Sequence, residues 1–340
     1  MQSSGCSLLA GDIGATKTTL ALYDAAFCPG PPLVPPRTFR NALYPSFDDL
    51  LHEFLAPGSL PPTAACFGVA GPVIANAVRM TNLNWSLNGT QLQAEHGFAQ
   101  VFLVNDLVAT AMGVVHLPAT DLHPLNPGIP QPGGVMAVLA PGSGLGEAFL
   151  VPHEGAYLPF PSEGGHASFA PRTAEQAELL AFMQQHHSHV SVEQVCSGLA
   201  LPGLFAFLTT RETTPTWLLD ELEQATDRTP VIIRAALEAV AGGKPCDIAV
   251  QTLTLFADIL ADEAANLALK TLALGGLYLG GGLAPRLLPF LTPARFLSIF
   301  ARGTYQLLLS QIPIHIICNP QAALFGAAAI GKDLVMRVKG

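Results

Sequence analysis

Two Gly-rich turns of the same kind, each set between apolar strands, constrain this chain more than any other feature. The first is Gly11-Asp12-Ile13-Gly14-Ala15-Thr16. Leu8, Leu9 and Ala10 lead into it, and Leu20, Leu22 and Tyr23 alternate with smaller residues after it. Period-two alternation on both sides of a glycine turn reads as strand, tight turn, strand. The pattern returns over residues 135–151: an apolar run at 135–140, the turn Pro141-Gly142-Ser143-Gly144, and a strand over 146–151. A recurring hairpin of this kind points to two halves built alike. In each half strands are followed by helices, so the expected class is α/β, with two halves facing each other across a central cleft.

Chemistry at the first turn follows from its residue types. Gly11 and Gly14 let the backbone turn sharply and bring N–H groups close to an anion. Asp12 offers a carboxylate to a metal ion, directly or through water, and Thr16 and Lys17 offer donors to phosphate oxygens. A P-loop is excluded by its glycine spacing, and because a P-loop opens a helix where this turn opens a second strand. Taken alone, the stretch fits an ordinary hairpin without a ligand equally well. A second such turn at Gly142, Ser143 and Gly144 makes a nucleotide clamped from both halves the better reading. Gly280-Gly281-Gly282, between a strand and a helix, suits close backbone approach to an adenosine, through Gly281 and Gly282.

With 340 residues, two domains are expected. The chain is 50% hydrophobic and only 12% charged, which raises the question of a membrane. Uncharged apolar runs such as 135–146 and 271–285 are broken by Gly or Pro and fall short of a spanning helix. No basic segment precedes Lys17, so no signal peptide is expected and the protein is expected to be soluble and cytoplasmic. Six scattered cysteines, without CxxC or CxC spacing, fit reduced thiols rather than a disulfide frame or zinc site. A net charge of −9 argues against nucleic acid as the main partner.

In chain order, a Pro-rich loop at 28–37 precedes a third strand near 38–42. Ser46 reads as the N-cap of a helix running to Leu55, with Asp48 and Asp49 in its first turn. Strands are expected at 64–70, 76–80 and 100–104, and helices at 90–96 and 107–115. The Pro-rich loop 116–134 has the composition of a domain connection. Thr173 with Gln176, and Ser191 with Gln194, have capping-box spacing. Helices are expected at 173–186, 231–240, 247–269 and 322–335, and strands at 277–279 and 312–318. Pro285 stands near the start of a helix after the glycine triplet. The expected domains are 1–116 plus 318–340, small, and 117–317, large.

Asp106 lies after an apolar strand and before a helix, where open α/β sheets place their ligands. An aspartate there can take the proton of an attacking hydroxyl. A helix N-cap explains an isolated Asn105-Asp106 pair more simply. Glu163 and His166 flank two glycines on a loop, and Glu193 sits in the first turn of an expected helix, where the macrodipole alone would account for it. Carboxylates, an amide and an imidazole are nonetheless the groups that bind vicinal sugar hydroxyls.

Taken together, these motifs resemble the hexokinase-type bacterial glucokinases of the actin-like (ribonuclease H-like) sugar-kinase superfamily, over nearly the whole length. The likeness rests on the first turn at 11–16, Met80-Thr81-Asn82 with Trp85, Val104-Asn105-Asp106, and the second turn at 142–146. It extends to Glu163-Gly164-Gly165-His166, the 192–198 segment with Glu193, Gly281-Gly282 with Pro285, and Asn319-Pro320. The resemblance implies a small domain closed by the C-terminal helix and a larger domain between, with sugar bound in the cleft. It implies Asp106 as catalytic base, glucose held by Asn105, Asp106, Glu163, His166 and Glu193, and ATP with Mg²⁺ on the glycine turns and Asp12. It implies a homodimer as well. Ala15 replaces a glycine of the family's turn and disfavours positive φ there. Lys17 stands where Asn is common, and Ser143 keeps the hydroxyl of the usual Thr. The Cys-rich zinc motif of the related repressor–kinase branch is missing.

The expected activity is therefore ATP-dependent phosphorylation of the glucose 6-hydroxyl, the first step of glycolysis. Another hexose, such as mannose or N-acetylglucosamine, or a non-catalytic sugar sensor on the same fold, is the alternative. A sensor would be expected to lack Asp106 or to carry a DNA-binding extension.

Overall fold

A computed structural model describes residues 7–26, 29–55, 62–80 and 83–339. Cys6, Cys28, Thr81 and Asn82 lie outside the described residues. The described chain separates into two compact units. The first comprises Met1–Asp121, Ala148–Pro161 and Asn319–Gly340, the second Leu122–Glu147 and Ser162–Cys318.

The opening hairpin forms as its alternation requires: β1 (Ser7–Ile13) pairs antiparallel with β2 (Lys17–Asp24), and β2 with β3 (Val34–Arg40). The third strand thus begins earlier than 38–42, inside the Pro-rich loop. Pro35 and Pro36 are tolerated because β3 is the edge of its sheet. Helix α1 (Phe47–Phe54) starts with the expected cap, Ser46 and Asp49 each bonding the other's backbone N–H in a full capping box. Then come β4 (Ala64–Val69), the short pair β5 (Ala77–Arg79) and β6 (Ser86–Asn88), α2 (Gly89–His96), β7 (Gln100–Asn105) and α3 (Asp106–Val114). The five-stranded sheet has the order β3-β2-β1-β4-β7, with β1, β4 and β7 parallel.

The second unit starts with β8 (Leu122–Asn126), a strand within the Pro-rich loop 116–134 that sequence pattern did not disclose. It pairs antiparallel with a late strand, β13, defined below. Next in the chain are β9 (Met136–Pro141), β10 (Leu145–His153) and β11 (Ala156–Ser162), of which the stretch Ala148–Pro161 is counted with the first unit, then, in the second, α4 (Ala174–Met183), α5 (Leu201–Thr209), α6 (Thr216–Gln224), α7 (Thr229–Val240) and α8 (Asp247–Thr271). Thr173 caps α4 through its side chain, but Gln176 turns to the Arg172 N–H instead of closing the box. Ser191 and Gln194 do form a reciprocal box, yet turns rather than a helix follow it. Helix α8 has no interior Gly or Pro and ends at Leu272, whose φ is +48°. Strand β12 (Gly276–Leu279), α9 (Pro293–Phe300), α10 (Gln306–Ser310) and β13 (Ile314–Ile317) complete the set. Between β12 and α9, Pro285 opens a single 3-10 turn over Ala284–Leu287 rather than an α-helix. The six-stranded sheet runs β11-β10-β9-β12-β13-β8, with β12 parallel to both β9 and β13.

The final helix α11 (Ala322–Lys339) belongs to the first unit. Its small residues let backbones touch. A Cβ on Gly326 would fall on the Ala109 carbonyl of α3, and one on Gly331 would strike Cys66 and Leu8 of the sheet. Across the sheet, Leu9, Ile13, Leu20 and Phe67 pack with Phe47, Leu50 and Trp85. Since side chains alternate along a strand, Leu8, Ala10 and Asp12 share the other face, the one covered by α11. This puts Asp12 on the side where α3 packs.

Candidate active site

In the first unit the parallel strands end together. Asp12 of β1, Gly68 of β4 and Val104 of β7 lie in one row across the sheet, and Asp106 follows two residues after Val104. Gly68 keeps this row open: a Cβ there would meet Ala109 of α3 and approach the Asp106 backbone. C-terminal ends of parallel strands are where open α/β sheets present ligand groups.

Asn105, not Asp106, is the N-cap of α3. Its Oδ1 accepts from Leu107 N at 2.9 Å and Val108 N at 3.3 Å, and its Nδ2 donates to the Gly71 carbonyl at 3.2 Å. Asp106 Oδ1 accepts from Leu107 N at 3.0 Å, in the first turn of α3. The cap that explained the Asn-Asp pair from sequence is thus supplied by Asn105, and Asp106 need not serve it. The carboxyl of Asp12 is pushed up to about 7, first by burial and then by the negative charge of Asp106. Two carboxylates that raise each other's ionisation cost form a hard-oxygen donor set of the kind that suits a divalent cation.

Gly11 does not turn the chain. It lies inside β1, buried, where a Cβ would collide with Phe67 and Leu20, so its glycine is set by packing. The turn proper closes between Gly14 N and Lys17 O at 3.0 Å, with Thr16 and Lys17 exposed. Ala15 is not among the described residues with positive φ, so the glycine it replaces is not needed here. A residue not singled out from the sequence fixes this turn. Buried Asn41 donates from Nδ2 to the Gly14 carbonyl at 2.8 Å and accepts from the Thr18 hydroxyl at 2.8 Å, while its N–H bonds Thr16 O at 3.0 Å. Trp85 is also structural: buried, it donates from Nε1 to Pro45 O.

In the second unit, Glu163, His166 and Glu193 do come together. His166 Nε2 is 3.9 Å from Glu163 and its Nδ1 3.9 Å from Glu193. Glu193 ties this group to the second glycine turn: its Oε2 accepts from Leu145 N at 2.8 Å, and its own N–H bonds Gly165 O at 2.8 Å. A side chain on Gly144 would run into the Glu193 carboxylate. The turn itself closes from Gly142 N to Gly144 O at 2.8 Å, and Leu199 N bonds the Ser143 carbonyl at 3.2 Å. Gly281 has φ of +73° and packs on the Pro141 carbonyl, which brings the glycine triplet beside this turn. Among the described residues no atom closely approaches the side-chain positions of Gly142 or Gly282, which leaves room for a ligand beside both backbones.

This arrangement can be set beside known proteins. The Glucokinase family model matches residues 9–334. The chain belongs to the glucokinase family. A glucokinase from Nostoc punctiforme is 39% identical over 341 residues, covering 96% of this chain and 99% of that one. Among solved structures, a glucokinase from an Antarctic psychrotroph has TM-score 0.81 at 30% identity, covering 96% of this chain and 99% of its own. A ROK family glucokinase from Streptomyces griseus, in complex with glucose and AMPPNP, shares the fold at TM-score 0.64 and 20% identity, with coverage of 96% and 99%. The two-domain actin-like α/β class and the kinase class expected from sequence both stand. Asn319, near the last helix, is held by its side chain, which donates from Nδ2 to Asp121 at 2.6 Å and accepts from Gln321 N at 2.8 Å.

Behind the Glu163–His166 loop lies a feature that sequence pattern did not flag. Glu147 of β10 is buried, lies against Gly164, and has its carboxyl pushed up to about 7, chiefly by burial and next by Glu263 of α8. No motif marked it, because a single Glu in an alternating strand reads as solvent-facing. Among the described residues no helix is long and apolar enough to cross a membrane, and Cys66, Cys196, Cys246 and Cys318 are free thiols.

Proposed function

We propose that this chain transfers the γ-phosphoryl group of ATP to the 6-hydroxyl of glucose, giving glucose 6-phosphate. The observation that carries the assignment of residues is the pairing of Asp12 with Asp106 at the ends of parallel strands, beside a cap that Asn105 provides. Asp106 takes the hydroxyl proton as the new P–O bond forms. Asn105 fixes the start of α3, and the amide hydrogen not given to Gly71 is available to the sugar. Glu163, His166 and Glu193 accept and donate hydrogen bonds to glucose hydroxyls. Thr16 and Lys17, and separately Ser143 and Gly144, offer donors to phosphate oxygens, while the N–H groups of Gly14 and Gly142 close the two turns and Gly281 and Gly282 leave room for the adenosine. Gly11 supports the first turn from within its strand.

Mg²⁺ fits this donor set: Asp12 would hold it, directly or through water, and it would neutralise charge on the transferring phosphate. Positioning and charge stabilisation supply most of the rate in such a transfer. The reading includes a cytoplasmic homodimer, which sedimentation of the purified chain would test. The decisive experiment is a coupled ADP-release assay over a panel of hexoses and phosphoryl donors. Turnover highest on glucose with ATP is expected; turnover on mannose or N-acetylglucosamine exceeding that on glucose, or none on any hexose, would overturn the assignment.

A further inference from the structure

Two buried carboxylates of the second unit lack the partners that such groups require. Glu147 is 3% exposed and Glu263 is 4% exposed. Glu147 Oε1 and Glu263 Oε1 each receive no hydrogen bond, although the two side chains lie within hydrogen-bonding reach of each other. The neighbouring Asp262 is a useful contrast. It is as buried, and it is satisfied by Arg172 Nε at 2.7 Å, Arg302 Nη1 at 2.8 Å and Gln176 Nε2 at 2.9 Å. Glu263 has Asn266 Nδ2 at 2.9 Å on Oε2 and the exposed Lys270 ammonium 3.7 Å from Oε1. Two negative charges against one distant, solvated cation is an expensive arrangement for a protein interior. One proton between the orphan oxygens removes a charge and satisfies both atoms with a single bond.

The remaining oxygen of Glu147 faces the loop that carries Glu163 and His166. Ser162 Oγ lies 3.5 Å from Glu147 Oε2 and accepts from Gly164 N at 3.0 Å. Gly164 packs so closely on the Glu147 carboxyl that a Cβ there would overlap it. From Gly164 the chain runs through one 3-10 turn to His166, and Gly165 O receives Glu193 N. The position of Glu147 is therefore passed to all three sugar-binding candidates.

We propose that Glu147 and Glu263 share one proton, and that this proton seats the 162–166 loop, making Glu147 a positioning residue for sugar binding. The sugar role of that loop rests on the function proposed above. When the shared proton leaves, two like charges repel and Glu147 moves against Gly164, so the loop loses its seat. The titratable and charged groups around the pair are Lys270 of α8, the Cys196 thiol, and His166, Glu163 and Glu193 on the loop side. Burial and both glutamates hold the Cys196 thiol up and neutral. The other groups are the same in wild type and in a Glu147→Gln variant, so comparing the two isolates the pair.

The test measures glucose KM and kcat, and amide hydrogen exchange of the 162–166 segment, from about pH 6 to about pH 8. With the Glu147 carboxyl losing its proton near pH 7, the seated fraction falls and glucose KM should rise about tenfold, with kcat changing less than about twofold. In Glu147→Gln, and in Glu263→Gln should the first fold poorly, KM should be flat over this range. The ratio of wild-type to variant exchange rates at 162–166, in which base catalysis cancels, should rise about tenfold over the same range. A constant exchange ratio overturns the proposal whatever the loop binds. So does a wild-type pH dependence retained in both variants, or one that changes with the monovalent cation present, which would put an ion between the oxygens. Glu163→Gln separates the two readings. If it leaves glucose KM unchanged, the sugar assignment fails, and the exchange ratio still decides the shared proton. If it raises KM while Glu147→Gln titrates like wild type, the sugar assignment stands and the shared proton falls.

Discussion

Asn41→Ala is the most direct test of how the first glycine turn, proposed to hold phosphate, is fixed. The amide makes two hydrogen bonds in a buried setting, to the Thr18 hydroxyl and to the Gly14 carbonyl, both at 2.8 Å. Thr18 is fully buried and Asn41 is 1% exposed, so water does not replace the Thr18 bond without opening the hairpin, while half-buried Gly14 relaxes more easily. Each stranded buried group costs about 1–3 kcal/mol, which gives about 2–4 kcal/mol for the pair once partial relaxation is allowed. Asn41 N to Thr16 O survives, because it is a backbone bond. The hairpin should therefore persist, with a turn whose Gly14 peptide is no longer fixed.

Loss of that fixation should raise KM for ATP about tenfold, equivalent to about 1.4 kcal/mol, with glucose binding unaffected. Denaturant unfolding reads the stability, and steady-state kinetics at saturating glucose reads the nucleotide effect. Thr18→Val combined with Asn41→Ala removes both ends of one bond. The double variant should be more stable than the sum of the single losses predicts, by about 1 kcal/mol. An Asn41→Ala protein within about 0.5 kcal/mol of wild type, with unchanged KM for ATP, would refute the claim that this side chain organises the turn.

Three further outcomes are expected. Asp106→Asn should lower kcat by roughly 10²–10⁴-fold while calorimetry still detects glucose binding; a variant keeping more than about half the wild-type rate rules out the base assignment. Glu163→Gln and His166→Ala should each weaken glucose binding about tenfold and leave KM for ATP within about twofold, so unchanged glucose affinity in both counts against the sugar assignment. The third concerns pH. The Glu147 carboxyl is raised from 4.5 to about 7 in the fold, so it is easier to keep protonated folded than unfolded. Its contribution is fully present below about pH 4.5 and is lost as pH rises through about 7, by about 3 kcal/mol in all. Unfolding free energies of wild type and Glu147→Gln should therefore diverge over this window in favour of the variant, and parallel curves would contradict the buried, shared proton.

Much of the fold was legible because its elements carry local signals. Alternation around a glycine turn marked β1 and β2, the Ser46–Asp49 box marked the start of α1, and an uninterrupted helical pattern marked α8. Where the signal was only local, it misled. Ser191 and Gln194 make their reciprocal bonds with no helix behind them, since the cap chemistry does not need one. Pro35 and Pro36 read as loop because proline is excluded from central strands, but β3 is an edge. Gly113 is small because the Ala322 carbonyl of α11 lies against it, a contact that no local pattern announces. Strand β8 escaped notice because its partner β13 is nearly two hundred residues later, and pairing at that separation leaves no local periodicity.

The candidate site divides along the same line. Asp106 could be named from its place after a strand, but whether it was a cap or a reactive group could not be decided from an Asn-Asp pair. Geometry assigns the cap to Asn105, whose one oxygen serves two N–H groups, and the negative charge of Asp106 adds to burial in raising the Asp12 carboxyl. Gly11 went the other way: it was grouped with Gly14 by type, and only the collision with Phe67 and Leu20 reveals a packing role. Asn41 and Glu147 went unnoticed for a common reason. Each acts by holding a backbone segment from far along the chain, Asn41 on Gly14 and Glu147 on Gly164, and neither has spacing that marks it. Residues that touch ligands recur in short motifs because the ligand fixes their geometry. Residues that hold those motifs answer to the packing of one particular chain, so they become visible only when burial and hydrogen bonding are counted atom by atom.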